Sequence, residues 1–153
     1  VPTLTYTQNS SAEGVRRGAY ILVESESEPD MILIASGSEI HLLIEVQKKL
    51  KEQSVDARIV SMPSWELFEA QSQEYRDSVL PPSVRARLAV EAGVPQGWHR
   101  YVGDQGDVIG LDHFGASAPG SVLMREFGFT VENILQKALG LSSRQQKRRK
   151  REK

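Results

Sequence analysis

Apolar positions along this chain follow two rhythms. Short, nearly unbroken apolar runs alternate with stretches in which apolar residues recur every three or four positions. Tyr20–Val23 and Met31–Ala35 are the first two runs. The second is rich enough in β-branched and large aliphatic side chains to read as a buried strand. Across residues 39–53 the rhythm changes: Ile40, Leu43, Ile44, Gln47 and Leu50 fall at the i, i+3, i+4, i+7 spacing of one helix face. Ser38 is placed to cap that helix, because its hydroxyl can accept from a free first-turn amide. Glu39 stands near the positive end of the helix dipole, and Lys48, Lys49 and Lys51 near the negative end.

The alternation continues downstream. Ala57–Met62 reads as a strand stopped by Pro63, Ser64–Glu69 as a short helix, and Glu74–Val79 as a further helical turn. Arg87–Glu91 is a fourth run, Trp98–Tyr101 a short helix and Val108–Leu111 a fifth run. Ser117–Phe127 and Val131–Leu139 read as helices, with Gly140 suited to stop the second. Upstream, Leu4–Thr7 has short strand character inside a polar segment, and no internal repeat is visible. Strands alternating with helices predict a three-layer α/β/α domain around a mostly parallel five-stranded sheet. The link Glu24–Asp30 contains Pro29 and is too short for a crossover helix. It therefore predicts that the first two strands pair antiparallel as neighbours, giving one antiparallel edge strand.

Composition adds a charge asymmetry. The chain has 153 residues, which suits one domain, with 39% hydrophobic and 25% charged residues and no cysteine. Disulfides and thiol chemistry are thereby excluded, in keeping with an intracellular protein. No apolar run approaches the ~20 residues of a membrane span. Val1 opens the chain with no basic and apolar leader, so the sequence reads as a processed product or a fragment. Residues 142–153, SSRQQKRRKREK, hold seven Lys/Arg and one Glu, leaving 12 basic and 19 acidic side chains in the rest. The tail is thus net +6 and the body net −7. With no apolar residue to bury, the tail is expected to be disordered, or at most a fraying extension of the last helix.

Three stretches carry candidate chemistry. In DHFGASAP (112–119), Asp, His and Ser lie within six residues. A nucleophile elbow needs G-x-S-x-G, and here Pro119 replaces the last glycine. Adjacent Asp112 and His113 would point to opposite faces of a strand, whereas a triad needs them to converge. Ser117 as a cap with Pro119 in the first turn explains the segment without catalysis. In GDQGD (103–107), Gly106-Asp107 with Asn133 downstream echoes a metal-diphosphate motif, yet residue 108 is Val and Asn133 falls within a helix. A tight turn is the simpler reading. In SGSE (36–39), a strand end meets a helix start, where free amides favour an anion. His41, His99 and His113 are far apart, and Trp98 with Tyr101 reads as packing. No catalytic, cofactor-binding or metal residue is assigned. The anion or interface candidates are Ser36, Gly37, Ser38, His113 and Ser117.

EGVRRGAYIL (13–22), SGSEIHL (36–42), VSMPSWELFEAQSQEYRDSVLP (60–81), VEAGVPQGWHRYVG (90–103) and GLDHFGASAPGSVLMREFGFTVENI (110–134) occur in that order. Together they resemble the C-terminal domain of transketolases, from about Glu13 to Leu141. PTLTYTQNSS (2–11) resembles the end of the preceding pyrimidine-binding domain. The resemblance divides the chain into residues 1–18 (end of that domain and linker), 19–141 (the α/β domain) and 142–153 (the basic tail). It implies a parent enzyme that moves two-carbon ketol units between sugar phosphates in the pentose phosphate pathway and the Calvin cycle. That parent is a homodimer using thiamine diphosphate and a divalent cation, Mg or Ca, bound by residues upstream of this chain. No cofactor is expected on this chain, whose role would be structural, at the subunit interface. The alternative is a regulatory anion- or nucleotide-binding module. Expected partners are the rest of the transketolase chain and a second subunit. A membrane is not expected, and a nucleic acid would have only the basic tail to bind. The implied location is the cytoplasm, or the plastid stroma in a plant.

Overall fold

A computed structural model describes residues 12–37, 39–91, 97–110 and 130–151. In chain order the elements are α1 (Ala12–Arg16), β1 (Tyr20–Val23), β2 (Met31–Ala35), α2 (Ile40–Glu52), β3 (Ala57–Ser61), α3 (Trp65–Glu69) and α4 (Gln73–Val79). There follow β4 (Arg87–Glu91), α5 (His99–Val102), β5 (Asp107–Gly110) and α6 (Val131–Arg151). The expected helix over Ser117–Phe127 and strand over Leu4–Thr7 lie outside the described residues.

The five strands form one sheet in the order β1-β3-β2-β4-β5. All neighbouring pairs are parallel except β1 with β3. The mostly parallel sheet with one antiparallel edge strand is therefore as the sequence predicts. The partner of that edge strand is not. Strands β1 and β2 are not neighbours, because β3 lies between them. The link 24–30 cannot hold a crossover helix, but it can step across one strand. Two strand spacings are about 9.6 Å, well within the reach of seven residues. Asp56, at the start of β3, fastens the link: its carboxylate accepts from the amides of Glu26 (3.0 Å) and Ser27 (2.7 Å) and from the Ser27 hydroxyl (2.9 Å). Asp56 N donates to the Asp30 carboxylate (2.8 Å), and Asp30 N to the Asp56 carbonyl (2.7 Å). Arg58, almost fully buried in β3, donates to both Glu24 carboxylate oxygens at 2.8 and 3.1 Å.

Strand β2 is central, and every one of its side chains is fully buried. Its alternation splits the core. Met31, Leu33 and Ala35 pack with α2 and α6, whereas Ile32 and Ile34 pack with Phe68, Trp98, Tyr101 and Val102 on the other face. The predicted apolar face of α2 is buried, and its Gln47 reaches down to donate to the Ala57 carbonyl at 2.8 Å. Trp98 and Tyr101 are packing residues, as expected; Trp65 meets the Trp98 ring edge-on, centroids 5.1 Å apart. Before the sheet, Gly18 adopts φ +87°, and a Cβ there would lie 2.3 Å from Phe68 N and Ser64 O. Only glycine lets the chain pass this close to the start of α3.

The last helix also departs from expectation. It does not stop at Gly140 but runs unbroken to Arg151, so that residues 142–151 form the helical extension that was the alternative to a disordered tail. Leu141, Ser142 and Gln145 are buried. The Gln145 side chain accepts from Arg85 N (2.7 Å) and Ala86 N (2.8 Å) and donates to the Asp30 carbonyl (2.6 Å). These contacts outweigh the ~1 kcal/mol that a mid-helix glycine costs.

Candidate functional site

In open α/β sheets ligands enter at the carboxyl ends of the parallel strands. Here β2, β4 and β5 end together, with Ala35 level with Val90 and Glu91 level with Gly110. Ser36 follows β2, and its hydroxyl donates to the Glu91 carboxylate at 2.8 Å. Gly37 is exposed, and its carbonyl accepts from Ile40 N at 3.1 Å. Glu39 occupies the N-cap position of α2, is buried, and makes no side-chain cap hydrogen bond. The expected cap, Ser38, lies outside the described residues, as do His113 and Ser117. Of the five candidates, the structure thus places Ser36 and Gly37.

Among the described residues, two carboxylates lie nearest to Ser36 and Gly37, in the chain or by hydrogen bond. Glu91 receives the Ser36 hydroxyl, and Glu39 heads the helix beside it. A carboxylate bonded to Ser36 disfavours the phosphate or other anion that the SGSE stretch alone invites. Sequence reasoning passed over Glu91 because its link to Ser36 is a matter of strand register. The strand ends were visible, but the pairing that brings residues 36 and 91 together was not.

The GDQGD stretch does structural work. The Asp107 carboxylate accepts from Val108 N at 2.8 Å and pairs with Lys137 of α6 at 3.2 Å. A Cβ on Gly106 would lie 2.4 Å from the Val102 carbonyl and 2.5 Å from that of Arg87. Backbone fills the space beside this turn, and a lysine takes its carboxylate. His41 and His99 are exposed on different helices. Among the described residues, no three His, Cys, Asp or Glu side chains converge on a common point.

At the opposite edge of the sheet, Arg87 is held by carbonyls. Its guanidinium donates to Val84 (2.9 Å), Tyr101 (2.8 Å), Leu80 (3.1 Å) and Pro81 (2.8 Å). Burial pulls its pKa below the ordinary value, with the Asp77 charge opposing. Tyr101 is pushed the other way, first by burial and then by Glu69, which accepts its hydroxyl at 2.9 Å. Arg87 thereby ties β4 to α5, and the Tyr101 hydroxyl ties α5 to α3.

These observations define an α/β/α domain whose described polar side chains mostly fasten its own backbone. The chain belongs to the transketolase C-terminal domain family. A family profile described as "Transketolase-like TK C-terminal domain" matches residues 18–130. The transketolase of Staphylococcus aureus (strain MW2) is 49% identical over 141 residues, covering 92% of this chain and 21% of that protein. That of Halalkalibacterium halodurans is 48% identical with the same coverage. The solved transketolase from Leishmania mexicana superposes with a TM-score of 0.81 at 41% identity, over 90% of this chain and 20% of that one. The chain thus spans about a fifth of the length of the relatives it matches. No described helix is long and apolar enough to cross a membrane.

Proposed function

We propose that this chain serves as the non-catalytic, structural and subunit-interface domain of a transketolase. The parent enzyme would transfer two-carbon ketol units between sugar phosphates as a homodimer, with thiamine diphosphate and a divalent cation. The observation that carries the reading is the pairing of strong likeness with small coverage: 49% identity over a fifth of a transketolase. Among the described residues, the Asp107 turn offers the cofactor no free carboxylate. Asp107, the carboxylate a metal-diphosphate motif would need, is taken up by Lys137 and its own turn. No chemical step is therefore routed through these residues. The commitment of Ser36 to Glu91 supports this reading over a regulatory anion or nucleotide site.

Calorimetry tests the proposal. Thiamine diphosphate with Mg2+, titrated into the 153-residue chain, is expected to give no saturable heat. Saturable, Mg-dependent binding would overturn the non-catalytic assignment.

A further inference from the structure

The sequence alone presents residues 142–153 as a solvated basic terminus, with nucleic-acid binding as the alternative and no structure to support it. The structure changes that, because α6 carries the helix to Arg151 and roots it through Leu141, Ser142 and Gln145. We propose that this rooted, strongly basic helical arm is a binding surface for the phosphate backbone of nucleic acid. The family match covers residues 18–130 and does not include the arm.

Three observations carry the proposal. Residues 144–151 hold six Lys/Arg and no acid. At 1.5 Å per helical residue, that is one cation per ~2 Å of axis, close to the one phosphate per ~1.7 Å of a nucleic-acid duplex. Next, the side chains of Arg144, Lys147, Lys150 and Arg151 are exposed. Arg144, Lys147 and Arg151 follow i, i+3, i+7 spacing and form one stripe. Gln145, which faces the body, lies on a different side of the helix. Finally, residues 143–153 contain no apolar side chain. A membrane-surface helix needs an apolar face to insert, and protein interfaces rely on an aromatic or apolar centre. Contact with phosphates needs neither. The net negative body repels a polyanion, so binding is confined to the arm.

The test is fluorescence anisotropy of a labelled DNA duplex of about 20 bp with the full chain, between about 50 and 200 mM KCl. Four to six phosphate contacts predict a log–log salt slope of about −3.6 to −5.4. Affinity should then fall by roughly 10²–10³ across that range. The variant combining Arg144→Gln, Lys147→Gln, Lys150→Gln and Arg151→Gln changes only exposed side chains. It should keep the far-ultraviolet circular dichroism of the parent and flatten the slope by about 3.6. Absence of binding at about 50 mM KCl overturns the proposal. So does an unchanged slope in the variant. Displacement of the duplex by polyglutamate or anionic vesicles at equal charge concentration also overturns it, by pointing to an acidic protein or a lipid surface instead.

Discussion

Replacing Gln145 by Ala should destabilise the domain by about 2–5 kcal/mol, although the residue lies in a tail that composition marks as unstructured. The side chain is 8% exposed and makes three hydrogen bonds of 2.6 to 2.8 Å. Truncation leaves the amide of Ala86, at the foot of β4, without a partner in a buried setting. A buried donor stranded in this way costs about 1–3 kcal/mol. The Arg85 amide and the Asp30 carbonyl are only partly buried and can be rehydrated, so each loses about 0.5–1 kcal/mol. Alanine returns a few tenths through its higher helix propensity. Urea denaturation followed by circular dichroism measures the difference, with the slope in urea unchanged if only stability moves. Gln145→Met keeps the bulk without the polar groups, so its loss isolates the hydrogen bonds. A loss below about 0.5 kcal/mol for Gln145→Ala, the size of a surface effect, would refute the docked helix.

Gly140→Ala tests the same helix from the other side. Nothing lies within 4 Å of a Cβ at this position, so the substitution should stabilise by about 0.5–1 kcal/mol. A lowered urea midpoint would mean that the helix ends there in a left-handed glycine. Asp56 supplies a pH dependence. Burial pushes its carboxyl up, but the hydrogen bonds from Ser27 and Glu26 and the Lys51 charge outweigh this and hold it below the ordinary range. A depressed carboxyl stabilises fully above its unfolded value of about 3.9, and that share disappears as pH falls through the folded value. Asp56→Asn should therefore lower the urea midpoint at neutral pH and reduce its decline below about pH 4. Equal acid sensitivity in the variant and the parent would count against the clamp.

Much of the fold was legible because it is written in local periodicity. The run Met31–Ala35 reads as a buried strand, and it is the fully buried centre of the sheet. The spacing of Ile40, Leu43, Ile44 and Leu50 reads as a helix face, and that face is buried against the sheet. Gly106 reads as a turn residue and closes one, its amide donating to the Gly103 carbonyl, and Asp107 then opens β5. The candidate site was legible only in outline. A strand end meeting a helix start identified Ser36 and Gly37, but not the carboxylate bonded to Ser36.

What the sequence by itself determined, then, is the five strands, the helices α2 to α5 and the start of α6, with the family they belong to. These depend on side chains a few positions apart, where spacing is fixed by the geometry of one helix or one strand. Tertiary structure alone decided that β3 separates β1 from β2, that Ser36 meets Glu91 across two strands, and that Gln145 turns a polar tail into a docked helix. Each of these joins residues tens of positions apart. Asp56 could fasten the link 24–30, and Gln145 could reach Asp30, only after the sheet had brought those backbones together. No local pattern encodes a partner whose position depends on how the rest of the chain has packed.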